Sequence, residues 1–283
     1  MEKTTLADKY LTFSEESKNL LDPEVVELLI DKFNKIYPAI CDFFNDGELR
    51  NVIFEADPNF NSPPALIIVI ETIDDDNGLV LETRIENNKI KFNPHDIAFQ
   101  QQQQQRWNVD FITHELVHVA QDYKYFDGSY PSWIVEGLAD YGTEKFGLYD
   151  KESGWGIIKN LGNHKSYKTG YTIAAGFFIW IEENIDATFS KELNDTLKSC
   201  KYNDNYFIEK TGKTVDELWQ IYMDENRVYA INWLEKYIDA PLPKDMYDKL
   251  KAGDLADELD SYILEKTGRV IDDLWEIWKY TTK

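Results

Sequence analysis

The spacing of apolar residues changes twice along the chain. Between residues 23 and 44, Val25, Val26, Leu29, Ile30 and Phe33 recur at helical intervals, and Pro23 stands where a first helical turn tolerates it. From residue 50 to 93 the pattern shortens to aliphatic and β-branched runs at 50–55, 65–73, 79–85 and 89–93, which predicts strands. Past residue 110 the helical spacing returns, and the second half is predicted to be predominantly helical. Asp74-Asp75-Asp76-Asn77-Gly78 lies between two of the strands. Read as a calcium loop with Gly78 sixth, it would put Ile73 first and Arg84 twelfth, which fails the ligand pattern. A hairpin turn around Asn77-Gly78 is the expectation. Pro94 ends the last strand, and the tract Gln100–Gln105 that follows suits a tolerated loop insertion or a polar helix extension.

The helical half repeats. Trp180-Ile181-Glu182-Glu183-Asn184-Ile185-Asp186-Ala187 matches Trp233-Leu234-Glu235-Lys236-Tyr237-Ile238-Asp239-Ala240 at an offset of 53. Glu209-Lys210-Thr211-Gly212, with Asp216-Glu217-Leu218-Trp219 after it, matches Glu265-Lys266-Thr267-Gly268 and Asp272-Asp273-Leu274-Trp275 at an offset of 56. Two copies of a helical unit of about 50 residues follow, the second with a short insertion. The second copy carries no metal-binding residue pattern and is expected to be a structural extension.

One five-residue stretch carries chemistry. Residues 114–118 read His-Glu-Leu-Val-His. On a helix, positions four apart lie about 40° from each other around the axis and roughly 6 Å along it. His114 and His118 therefore share a face and can hold one metal ion, with Glu115 beside them to take a proton from water. With 4 His in 283 residues, an accidental match is expected only about 0.005 times. The flanking Trp107, Phe111, Leu116, Val117, Val119 and Ala120 give apolar surface for a buried helix, where two imidazoles and a carboxylate need something to satisfy them.

A catalytic zinc site has three protein ligands and one open position. Downstream, Ile134, Leu138 and Tyr141 predict a helix starting near Ser132, and this puts Glu136 and Asp140 on one face. Two like charges four apart repel on an ordinary helix. The pair becomes favourable if Glu136 is the third ligand and Asp140 accepts a hydrogen bond from the outer nitrogen of a ligand histidine. The competing reading is an acidic surface stripe.

His-Glu-x-x-His followed by a Glu-x-x-x-Asp helix resembles the gluzincin group of metallopeptidases, and more closely the plant basic secretory protein family of peptidases. The resemblance is carried by Thr113–Gln121, Ile134–Tyr141, Tyr167–Phe178 and Lys210–Trp219, and spans about residues 65–226. It implies a zinc-dependent, zincin-like domain that hydrolyses peptide bonds, with Zn2+ as cofactor and a peptide or protein as substrate. Two departures stand out. Ala174-Ala175-Gly176-Phe177 replaces a Thr-Ala-Arg-Phe common in the family, and the chain is acidic where the name-giving members are basic. The tetrahedral oxyanion of such a reaction needs a donor beyond the metal. Tyr171, in the segment that resembles a family Gly-Tyr signature, is the first candidate, His164 the second and Tyr167 the third. The alternative function is a catalytically inactive zincin-like protein acting as a metal-binding interaction module.

The expected fold class is thus α+β: a small zincin-like sheet packed on the metal-binding helix, then a mostly helical half with a duplicated unit. The expected division is a metallopeptidase domain at 1–226 and a helical extension at 227–283. A hydrophobic share of 43% supports a packed core. The net charge of −22, from 52 acidic and 30 basic residues, argues against nucleic acid and anionic membranes as partners. Cys41 and Cys200 are too few for a disulfide framework. Glu2, Asp8, Glu15 and Glu16 break up any apolar leader, and the runs Ala65–Ile70 and Ala174–Ile181 are too short to span a bilayer. The expectation is a cytoplasmic protein, with secretion as the alternative that the resemblance implies. An exposed edge strand within 79–93 would let an extended peptide add to the sheet.

Overall fold

The computed structural model describes residues 4–60, 65–74, 80–94, 97, 99–100, 106–107, 109, 111–123, 130–147, 166–238, 241–252 and 257–269. Two compact units emerge. The first comprises Met1–Asp127, Gly142–Trp155 and Asn194–Cys200; the second comprises Gly128–Tyr141, Gly156–Leu193 and Lys201–Lys283. The turn expected at Asn77-Gly78 lies outside the described residues, as does His164.

The first unit opens with two short helices, α1 (Leu6–Tyr10) and α2 (Glu15–Leu20), on either side of strand β1 (Leu11–Phe13). Helix α3 (Pro23–Phe44) follows with the bounds that the apolar spacing predicts. Asp22 caps it by accepting the Glu24 N–H at 2.9 Å, and Pro23 fills a first-turn position whose N–H would be unpaired anyway. The helix buries Val25, Leu29, Phe33, Ile36, Tyr37, Ile40, Cys41 and Phe44, each worth about 1.5–3 kcal/mol for a large apolar side chain. Phe33 meets Phe54 of the sheet edge-on, with ring centroids 6.5 Å apart.

Strands β2 (Val52–Ala56), β3 (Ala65–Asp74) and β4 (Val80–Phe92) complete a four-stranded sheet with β1, in the order β1-β2-β4-β3. β1, β2 and β4 run parallel, and β3 pairs antiparallel to β4. The segments predicted at 79–85 and 89–93 form one strand. Its register on β3 passes from Val69↔Asn87 to Ile70↔Ile85 and skips Glu86, a bulge that falls in the polar gap between the two apolar runs. β4 pairs with β3 along its length but with β2 only over Asn88–Phe92, so its residues 80–87 have a strand partner on one side only among the described residues, and the sheet ends on β1 and β3. The first residue of the glutamine tract lies in a short strand, β5 (Phe99–Gln100), which pairs antiparallel with β6 (Arg106–Trp107), while residues 101–105 lie outside the described residues. Trp107 belongs to β6 and not to the helix that carries the two histidines.

Helix α4 (Phe111–Gln121) packs on α3 and touches β3 and β4, and Phe111 meets Phe92 at 5.1 Å between ring centroids. Helices α5 (Ser132–Phe146) and α7 (Phe189–Lys198) each contribute residues to both units. In the second unit a 3-10 turn at Tyr167–Thr169 leads into α6 (Tyr171–Asn184), and α8 (Tyr206–Thr211), α9 (Val215–Ile238), α10 (Lys244–Ala252) and α11 (Asp257–Thr267) follow. The Glu-Lys-Thr-Gly repeats end α8 and α11 in the same way. Thr211 donates to Phe207 O at 2.7 Å and accepts the Lys213 N–H; Thr267 donates to Ile263 O at 2.8 Å and accepts the Arg269 N–H. Gly212 and Gly268 then take φ of 74° and 70°, the left-handed conformation that a helix C-terminus favours in glycine. The mostly helical α+β architecture is as expected. Among the described residues, no helix is long and apolar enough to cross a membrane.

Candidate metal centre

All five residues of the His-Glu-Leu-Val-His stretch sit on α4. His114 and Glu115 are buried, and His118 is half-buried. The two imidazoles stand edge-to-face with centroids 4.7 Å apart, and their Nε2 atoms face each other at 3.0 Å. Two nitrogens bonded to one tetrahedral zinc at about 2.05 Å stand about 3.3 Å apart, so the observed gap needs only a few tenths of an ångström to accept an ion. His118 Nδ1 lies 2.7 Å from Gln121 Oε1. Gln121, three residues after His118, lies on the same helical face, a spacing that the sequence alone shows.

Glu136 joins the two histidines. The ligand atoms of His114, His118 and Glu136 all lie within 4.8 Å of one another. Two nitrogens and a carboxylate at this separation form the donor set that zinc prefers in a hydrolytic site. The group fits such an ion.

Local packing explains why α5 can present Glu136. Trp133, one turn earlier, lies against Tyr167, Phe178 and Phe207, with ring centroids 4.6, 5.7 and 6.0 Å away. A Cβ at Gly137 would stand 2.5 Å from Ala174 Cβ, so glycine is what lets α5 approach α6 this closely. A Cβ at Gly142 would stand 2.5 Å from Val117 Cγ2 and 2.9 Å from the Phe44 ring; here glycine admits α5 against α4, the helix that carries His114 and His118. Asp140 is buried on α5, and Tyr141 after it donates to both carboxylate oxygens of Glu182 at 2.9 Å. Burial and the Glu182 charge push the Tyr141 hydroxyl well above its ordinary pKa, so it remains a donor.

Two of the three candidates for the oxyanion donor, Tyr167 and Tyr171, lie among the described residues, and they differ. Tyr167 is buried, and its hydroxyl donates to Asp216 at 2.9 Å, which makes it a packing residue that ties the 3-10 turn to α9. Tyr171 is 54% exposed and begins α6 with φ of 48°. It follows Gly170, whose φ is 77° and where a Cβ would stand 3.3 Å from Trp133 Cα and 3.8 Å from Glu136 Cβ. The chain thus enters α6 beside the backbone that carries Glu136. A tyrosine in left-handed conformation is uncommon, and such positions cluster where function over-determines the backbone.

Against known proteins, the model of a family described as BSP, peptidase of plants and bacteria, matches residues 43–222. That span contains His114, Glu115, His118, Glu136, Asp140 and Tyr171. No curated protein and no solved structure matches the chain.

Proposed function

Because the chain belongs to this family of peptidases of plants and bacteria, we propose that it is a zinc-dependent metallopeptidase with its centre at His114, His118 and Glu136. The observation that carries the reading is the convergence of two imidazole nitrogens and one carboxylate within 4.8 Å. Zinc, when bound there, lowers the pKa of a coordinated water towards about 7 and polarises the scissile carbonyl. His114 and His118 hold it through Nε2, and the Glu136 carboxylate offsets part of its charge.

Glu115 is the general base. It lies next to His114 on the same helix and is 95% removed from solvent, its relative exposure being 5%. Its carboxylate takes the proton of the attacking water and passes it to the leaving amine, so one group serves both steps. The Tyr171 hydroxyl donates to the oxygen on which negative charge develops. Asp140 accepts the outer N–H of His114, since Gln121 already engages the outer nitrogen of His118. An extended peptide substrate would add to β3, an edge strand that touches α4.

Two variants test the reading. Purified protein should hold one zinc per chain and cleave a peptide library in a chelator-sensitive manner, and His118→Ala should lose the ion. Glu115→Gln should keep the zinc while hydrolysis falls by about 10²–10⁴-fold. Undiminished hydrolysis by Glu115→Gln would remove Glu115 as the base. A wild-type protein that binds zinc and cleaves nothing would leave the metal-binding interaction module instead.

A further inference from the structure

We infer that Gln121 is a positioning residue that selects the Nδ1–H tautomer of His118 and thereby turns the Nε2 lone pair of that ring towards His114. The inference rests on the proposed metal site and not on peptide hydrolysis.

The geometry is local to one helix. Gln121 Oε1 lies 2.7 Å from His118 Nδ1. An amide oxygen can only accept, so the proton of this bond sits on Nδ1, and a neutral ring protonated there has its free pair on Nε2. That is the nitrogen found 3.0 Å from His114 Nε2. Gln121 is itself 1% exposed, so water does not compete for its oxygen. With the opposite tautomer the ring would present an N–H to the metal position, and its Nδ1 could no longer donate to the Gln121 oxygen.

Gln121 is also the last residue of α4, in the turn where helices fray and carbonyls lack partners. Here that turn is clamped from both sides. Lys198 Nζ donates to Ala120 O at 3.4 Å and to Phe44 O at 3.3 Å, and it also reaches the Asn45 side chain. A cation at a helix C-terminus opposes the negative end of the dipole. On the other side, Asp122 turns out of the helix with φ of 43° and donates its N–H to His118 O at 3.3 Å. The Arg50 guanidinium holds the Asp122 carboxylate. These contacts hold the residues on either side of Gln121, and so fix the backbone from which its amide reaches His118.

The test uses the whole 283-residue chain and begins without metal. Long-range 15N–1H correlation spectra of the metal-free wild type should show the His118 proton on Nδ1. Gln121→Met removes the acceptor at similar volume, and Gln121→Glu keeps one. In competition with a chromogenic chelator, Gln121→Met should bind zinc 10–100-fold more weakly than wild type, and Gln121→Glu should stay within about 3-fold of it. Thermal melting of each metal-free variant checks that the fold is intact. A proton on Nε2 in the wild-type spectrum would overturn the inference even if no variant folds, and so would a folded Gln121→Met with undiminished zinc affinity. Failure to cut any peptide would sink the peptidase reading and leave this one standing.

Discussion

Tyr171 shows how much a single residue can hold apart. Its left-handed φ costs roughly 1–3 kcal/mol in a non-glycine residue, and its exposed ring gains little burial to offset that. Tyr171→Phe keeps the backbone and the ring and removes only the hydroxyl. In steady-state kinetics it should lower kcat by about 10²–10³-fold with little change in KM, the loss expected for one oxyanion donor; an unchanged kcat would remove Tyr171 from the mechanism. At this scale the sequence is informative where one helix carries the whole signal. His114 and His118 are legible because four residues along a helix bring two side chains to one face, and Glu136 because an ExxxD helix follows closely. Tyr167 is not: nothing in its neighbourhood reveals that its hydroxyl is taken by Asp216, 49 positions away. Gln121 was visible at helical spacing but has an unusual side chain for its task, since a carboxylate more commonly orients a ligand histidine.

Elements are positioned here by glycines and by caps. Gly142 sits where α5 meets Val117 of α4 and Phe44 of α3, with 2.5 and 2.9 Å to a would-be Cβ. Gly142→Ala should destabilise the protein by about 1–3 kcal/mol in chemical denaturation, as overpacking does. It should also weaken zinc binding, because the α4–α5 approach widens. The start of α9 depends on charge. Thr214 donates both its N–H and its hydroxyl to Glu217, at 2.8 and 2.9 Å, and this holds the Glu217 carboxyl below its ordinary value of 4.5. A carboxyl whose folded pKa is lowered contributes stability that is complete above the unfolded value and lost as pH falls through the folded one. Wild type should therefore melt above Glu217→Gln at neutral pH, and the gap should close as pH drops below 4.5. A gap that persisted into acid would mean that the carboxylate charge contributes nothing. The long α3 was legible to its ends because Asp22, Pro23 and an apolar stripe agree on one element. The three-residue β1 was not, since its parallel pairing with β2 is a tertiary contact without local pattern. The two runs of β4 were seen but not their union, because a bulge at Glu86 interrupts the alternation while the strand continues.

Over the whole molecule, the order of parts follows from the sequence: an N-terminal helix, a sheet, two helices that carry the His-His-Glu group, then a helical half in which α8 and α11 end on the same Thr-Gly cap. The sheet's strand order was not legible, because pairings between distant segments, β2 with β4 among them, decide it. The sharing of α5 and α7 between two compact units was equally hidden, because contacts far apart in sequence decide it. The central claim is that α4 and α5 together hold one ion. Anomalous diffraction from crystals grown with zinc, collected on both sides of its absorption edge, tests it most directly. The predicted result is a single strong peak about 2.0–2.2 Å from His114 Nε2, His118 Nε2 and a Glu136 carboxylate oxygen. A map with no peak there, or with zinc on the two histidines and the Glu136 carboxylate turned away, would contradict the account.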